Sequence, residues 1–164
     1  MSESRYTPVL LLACLLAPVN IFVIGDFMGA GIRFPLVLYQ HTIYGTSWIP
    51  IWQEVNYVAT GLIGGRSGLA ILVWALATLL VLAAFAAWIA RWPEGERRGV
   101  ALLLAGAGAC SLLAAFAHYG PLLHGQAGFC VPVGLPIVIA VAWFVWRGEG
   151  KEKGEDENTS PDIS

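Results

Sequence analysis

The sequence predicts an all-α integral membrane protein, a four-helix bundle with an interfacial helix in its first outer loop. Of the 164 residues, 57% are apolar or aromatic and 12% are charged, against roughly 25% charged in a soluble domain. Mean hydropathy is +0.69. The apolar residues also gather into four runs that meet the length of about 20 residues needed to cross a hydrocarbon core some 30 Å thick. So few charges cannot cover a water-soluble domain of this size, which excludes an ordinary cytosolic enzyme and a disordered chain. A net charge of −2 without a basic patch excludes a nucleic-acid binder.

The first run extends from Pro8 to Gly29 and contains Pro18, Asn20 and Asp26. The sequence Leu11-Leu12-Ala13-Cys14 has the form of a lipoprotein cleavage box. Only Pro8 to Ala13 would serve as its apolar region, which is shorter than the roughly 7–15 residues such a signal uses, so the run reads as a span. The second run, Leu69 to Ala90, contains no charge. The third covers Val100 to Tyr119, and the fourth Phe129 to Trp146 with Pro132 and Pro136 near its start, where a first helical turn tolerates proline. Residues 1–147 thus form one transmembrane domain, with spans at 8–29, 69–90, 100–119 and 129–146.

Basic residues set the orientation. Arg5, Arg91, Arg97, Arg98, Arg147, Lys151 and Lys153 flank one side of these spans, and only Arg33 and Arg66 fall on the other. Both termini are therefore expected in the cytoplasm of a multi-pass cell-membrane protein. Trp74 near one interface and Trp88, Trp92, Trp143 and Trp146 near the other suit aromatic belts. The tail 148–164 carries almost nothing apolar and is expected to be disordered and acidic. Its Asn-Thr-Ser sequon at 158–160 falls on the cytoplasmic side.

Helix association in lipid depends on small residues that let backbones approach. Ala101, Ala105 and Ala109 in the third span and Ala83, Ala86, Ala87 and Ala90 in the second are expected to join these two as an antiparallel hairpin across the turn 92–96. In the long outer loop, Ser47 is expected to cap a helix of residues 48–60, with Pro50 in its first turn and Gly61 as its stop. Its apolar face of Trp48, Ile51, Trp52, Val55, Val58 and Ala59 is expected to roof the bundle.

Candidate polar groups are few. Asn20 falls near mid-membrane and needs a hydrogen-bond partner. Asp26 and Arg33 make an interfacial ion pair, with Glu54 as the competing carboxylate, because the helix before Asp26 climbs roughly 28 Å to the water. His41, His118, His124 and Cys130 all fall on the outer side. His118, His124 and Cys130 are the candidate metal ligands, but their spacing of six matches no established motif. The three cysteines form no CxxC pair. Catalytic motifs are absent, and neither a catalytic residue nor a cofactor is expected.

The aromatic outer segment Tyr44 to Tyr57, the basic turn Arg91 to Arg98, and Pro132-Val133-Gly134 leading to Ala142-Trp143 carry a family likeness. In these parts the chain resembles an uncharacterised group of small archaeal four-span membrane proteins, over most of its length to Arg147. That group has no assigned activity, so the resemblance implies no site residues. The long first outer loop is similar to that of tetraspan junction proteins, whose paired loop cysteines are missing here.

The expected function is that of a non-enzymatic accessory or assembly subunit of a membrane complex. Its expected partners are the lipid bilayer and another membrane protein or a second copy of the chain. The alternatives are a small oligomeric transporter or channel component using Asn20, Asp26 and Arg33, and an outer-face metal or redox protein using the histidines.

Overall fold

The computed structural model describes residues 6–25, 27–90 and 97–157, with side chains as far as 147. Among these the chain runs α1 (Thr7–Leu16), β1 (Asn20–Ile24), β2 (Gly29–Arg33), β3 (Val37–Thr42), β4 (Gly45–Pro50), α2 (Ile51–Ala59), α3 (Gly65–Ile89), α4 (Arg97–Tyr119), β5 (His124–Gly125), β6 (Gly128–Val131) and α5 (Gly134–Glu157). The six strands form one antiparallel sheet in the order β4-β3-β2-β1-β6-β5. The protein is thus a mixed helix-and-sheet structure, and the expected all-α four-helix membrane bundle is wrong. Two helices, α3 and α4, are long and apolar enough to cross a membrane.

The first and fourth apolar runs fail as helical spans for the same physical reason. Each contains a proline that divides it into a helix and a strand. Ala17, the residue before Pro18, is extended at φ −69° and ψ 144°, as proline demands of its predecessor. Helix α1 therefore stops at Leu16, and the β-branched residues that follow join β1. At the other end, β6 occupies Gly128–Val131, and α5 begins only after Pro132. The apolar part of α5, Gly134–Arg147, and all of α1 are shorter than a membrane crossing. Helix α5 continues into the charged tail as far as Glu157.

The structure has two tiers along the α3–α4 hairpin. In the lower one, toward Ile89 and Arg97, α1 and α5 pack against the hairpin around Leu11, Cys14, Val81, Ala84, Leu104, Ala107 and Val141. In the upper tier, toward Gly65 and Tyr119, the sheet packs on the same hairpin through Phe22, Leu38 and Cys130 against Trp74, Ala114, Ala115 and Tyr119. The hairpin itself is held by residues near a seven-residue repeat. Ala70, Ala77 and Ala84 are buried on α3, and Ala101, Ala107, Ala114 and Ala115 on α4, small residues that let two helices approach closely, while Gly108 faces Leu135 and Val138 of α5. Of the alanines expected at this interface, Ala87 and Ala101 are buried, while Ala83, Ala86, Ala90, Ala105 and Ala109 face outward. The turn 92–96 lies outside the described residues.

The outer-loop helix is shorter than expected and rotated about its axis, with Ile51, Val55 and Val58 half-buried and Gln53 and Asn56 exposed. Residues 45–50 pair with β3, so α2 starts at Ile51, while Gly61 at φ +76° ends it as expected. Its buried residue is Glu54, and Trp52 is exposed. Trp48 belongs to β4.

Close approach fixes the sheet's register. A Cβ on Gly31 would meet the ring of Phe22 and stand 2.5 Å from the Tyr39 carbonyl oxygen. Gly31→Ala is therefore expected to cost at least the ~1–3 kcal/mol of overpacking, read as a lowered melting temperature in detergent. Gly99→Ala, with open space around it, should leave the melting temperature unchanged or slightly raised.

Candidate functional site

The inward face of the sheet holds the only charge among the described strands, Arg33. Strand alternation puts it there. Arg33 pairs across the sheet with Asn20 on one side and Leu38 on the other, and all three are buried. Its guanidinium carbon lies 4.9 Å from the ring centroid of Trp74 on α3 and 5.8 Å from that of Phe22 on β1. Gly31 makes this stacking geometry available by leaving room for the Phe22 ring. Tyr119 of α4 closes the cluster, its ring 6.4 Å from Phe22.

This is an expensive place for a cation. Arg33 is 4% exposed, and its Nε and Nη1 have no hydrogen-bond partner among the described residues. Desolvation lowers its pKa, countered by the potentials of Tyr119, Glu54 and Cys130. Arginine nevertheless stays protonated in proteins, so the charge has to be stabilised where it lies. The π faces of Trp74 and Phe22 supply part of that, worth about 2 kcal/mol or more for a desolvated pair. Glu54 supplies the opposite charge at longer range. Burial raises the Glu54 pKa, and the nearby Arg33 charge pulls it partly back. Three further buried polar atoms have no partner among the described residues: Asn20 Oδ1, Trp74 Nε1 and His118 Nδ1.

Asn20 does not stand in a helix at mid-membrane as expected but opens β1 beneath the sheet. Asp26, the expected ion partner of Arg33, lies outside the described residues, whereas the competitor Glu54 is electrostatically coupled to it. The metal candidates do not converge. Residue pairing places His124 beside Phe129, on the sheet face opposite Cys130, and His118 stacks edge-on against Tyr119 at the end of α4. Burial pushes the Cys130 thiol up to about 11. Among the described residues no group of three His, Cys, Asp or Glu side chains could hold a metal ion. His41, on the outward face, shares a 2.7 Å hydrogen bond between its Nδ1 and Thr46 Oγ1.

Where the two tiers meet there is a cavity of about 20 Å³, lined by Cys14, Pro18, Trp74, Thr78, Ser111 and Leu135 among others. It has room for about one water molecule, far below the ≈ 300–1,000 Å³ of a small-molecule pocket. Thr78 and Ser111 both direct their hydroxyls to carbonyls of their own surroundings, Pro35 and Ala107.

Sequence reasoning missed Phe22, Trp74 and Tyr119 as members of this cluster. The available signal was Arg33 itself, a lone cation in an uncharged stretch from Phe27 to Gln53. No family model matches the chain, and no curated protein is similar to it.

The buried carboxyl gives the cluster a pH signature. Unfolded, Glu54 loses its proton near its ordinary 4.5; folded, it does so at higher pH. Between these values the folded protein holds the extra proton, so Glu54's contribution to stability is full below 4.5 and is lost as pH rises through the raised pKa. Melting temperatures measured in detergent across this window should fall more steeply with pH for the wild type than for Glu54→Gln. Equal slopes would remove Glu54 from the account.

Proposed function

We propose that this is a non-enzymatic membrane protein, an accessory or assembly subunit that contacts another membrane component through the upper end of its sheet. One observation carries this reading. Phe27 and Met28 between β1 and β2, and Ile43 and Tyr44 between β3 and β4, are all exposed. These two connections stand at the same end of the structure, and exposed apolar groups gathered in one place mark contact surfaces. The buried cluster around Arg33 supports the reading as a clamp that stiffens the sheet behind these tips.

In this reading α3 and α4 cross the bilayer, and the upper end lies outside. The lower end carries Arg98 over Trp146 at 5.4 Å and Arg147 over Trp143 at 5.1 Å. Basic residues with interfacial tryptophans are what the cytoplasmic boundary selects. The protein is then multi-pass, with both termini in the cytoplasm.

Two experiments test the proposal. A membrane-impermeant thiol reagent on intact cells should label a cysteine placed at Gln53 and spare one placed at Glu155; the reverse pattern overturns the orientation. A photo-crosslinking amino acid at Tyr44, activated in native membranes, should capture an integral membrane protein other than this chain. Capture of lipid alone, or of nothing, would remove the subunit role.

A further inference from the structure

The outward face of the sheet is apolar in a way that solvent does not explain. Residue pairing sets Val131, Ile21, Ile32, Tyr39 and Trp48 side by side in one row across five strands. Val131, Ile21 and Trp48 in this row are exposed, and no other described element lies over them. The next row toward the upper end is more polar. It runs His124, Phe129, Val23, Ala30, His41 and Thr46. Polarity on this face thus rises from the Ile21–Ile32 row to the His41–Thr46 row, and apolar side chains return only at the tips beyond it, in Met28, Ile43 and Tyr44.

The height of the apolar row follows from one hydrogen bond. The turn between β2 and β3 reaches down to α3, where Thr78 Oγ1 donates to the Pro35 carbonyl at 2.7 Å. On the far side of α3, Leu69, Leu72, Leu76, Leu79, Leu82 and Ile89 form an exposed stripe. From Leu69 to Ile89 the helix rises about 30 Å, the thickness of a hydrocarbon core. Thr78 lies near the middle of that stripe. The lower ends of the strands therefore stand level with the upper half of it, and the apolar row lies just above them.

Backbone at that level has to satisfy its own polar groups. The connections at the lower end of the sheet each contain a proline, which has no N–H to satisfy: Pro18 before β1, Pro35 between β2 and β3, Pro50 at the end of β4 and Pro132 after β6. Several N–H groups between them are bonded within the same region, those of Val19 to Arg33, Phe34 to Val37, Ile51 to Leu36 and Gly134 to Val19. Beside the lower half of β6, the Cys130 N–H bonds to the Leu123 carbonyl. The connections at the upper end contain glycine instead, including Gly25, Gly45, Gly120, Gly125 and Gly64.

We propose that the outward face of the sheet is covered by lipid acyl chains of the outer leaflet, with the row Val131–Ile21–Ile32–Tyr39–Trp48 immersed and the His41–Thr46 row at the headgroups. This rests on the reading that α3 crosses the bilayer. Acyl chains fit better than a second copy of the chain because the apolar row stands at the height of the exposed leucine stripe of α3, with the more polar His41–Thr46 row above it. A leaflet imposes that match of height, and a protein partner has no need of it. Arg33 and Glu54, charges of the described residues close to this layer, are both buried on the opposite side.

The test uses spin labels on the full chain, in a background with Cys14, Cys110 and Cys130 replaced by alanine, reconstituted in phosphatidylcholine–phosphatidylglycerol vesicles. Labels at Val131→Cys and Ile21→Cys are compared with Leu79→Cys on the helix stripe and Thr46→Cys in the upper row. Collision with oxygen reports lipid, and collision with a water-soluble nickel chelate reports solvent. The labels at Val131 and Ile21 should match Leu79, with oxygen accessibility several-fold above that of the nickel chelate, and Thr46 should show the reverse. If nickel reaches Val131 and Ile21 while Leu79 stays oxygen-accessible, the immersion is wrong and the membrane reading of α3 stands. If neither reagent reaches them, protein covers the face and the proposal is likewise overturned. If nickel reaches Leu79, the crossing of α3 itself fails. The two row positions report independently, so loss of folding in one variant leaves the other decisive.

Discussion

A guanidinium held away from water constrains several elements at once, and in this protein the constraint falls on Arg33. Its charge is kept by two aromatic faces and one distant carboxylate, and each comes from a different part of the chain. Phe22 belongs to β1, Trp74 to α3 and Glu54 to α2. Moving any of these by one residue would turn its side chain to another face. The inward register of β1 against β2 and the rotations of α3 and α2 about their axes are therefore linked through one charge. Two residues of α2 show it most clearly: Glu54 is buried and Trp52 exposed, against the ordinary preference of both residues.

The same logic explains why the two tiers share the hairpin without a break. Alanine and glycine at near-heptad spacing bring α3 and α4 together along their whole length, while the elements that flank them change from helix to strand halfway up. Prolines 18 and 132 make the change at matching heights. The Cβ that an alanine at position 134 would carry meets the Pro18 carbonyl at 2.5 Å, so the two changeovers lie against each other and depend on a residue without a side chain.

The central hairpin was legible in the sequence, because uninterrupted apolar runs in α3 and α4 leave no competing arrangement. Gly61 as a helix stop was legible too. Within the candidate site, Asn20, Arg33 and Glu54 stand out as polar groups in apolar surroundings, but their aromatic neighbours come from elements whose rotation no single sequence fixes. The strands were hidden for a physical reason. A half-buried strand betrays itself by alternating apolar and polar residues, yet β1 reads Asn-Ile-Phe-Val-Ile and carries apolar groups on both faces. Such a strand cannot be told from part of a buried helix by periodicity, and here it continues the apolar run of α1. Pro18 and Pro132 were the signals against a helix, and both could be read as features of a helix end.

The sheet is completed by a strand from far along the chain. Strands β1 to β4 form a meander from residues 20–50, whereas β6, which lies beside β1, arrives only after both long helices. The first strand therefore has an open edge throughout synthesis until the last one reaches it. Sequence-distant pairing of this kind is slow to form, and an unpaired edge is a surface that other chains can join. Completion of the sheet thus reports that both long helices have been made, since β6 follows them in the chain.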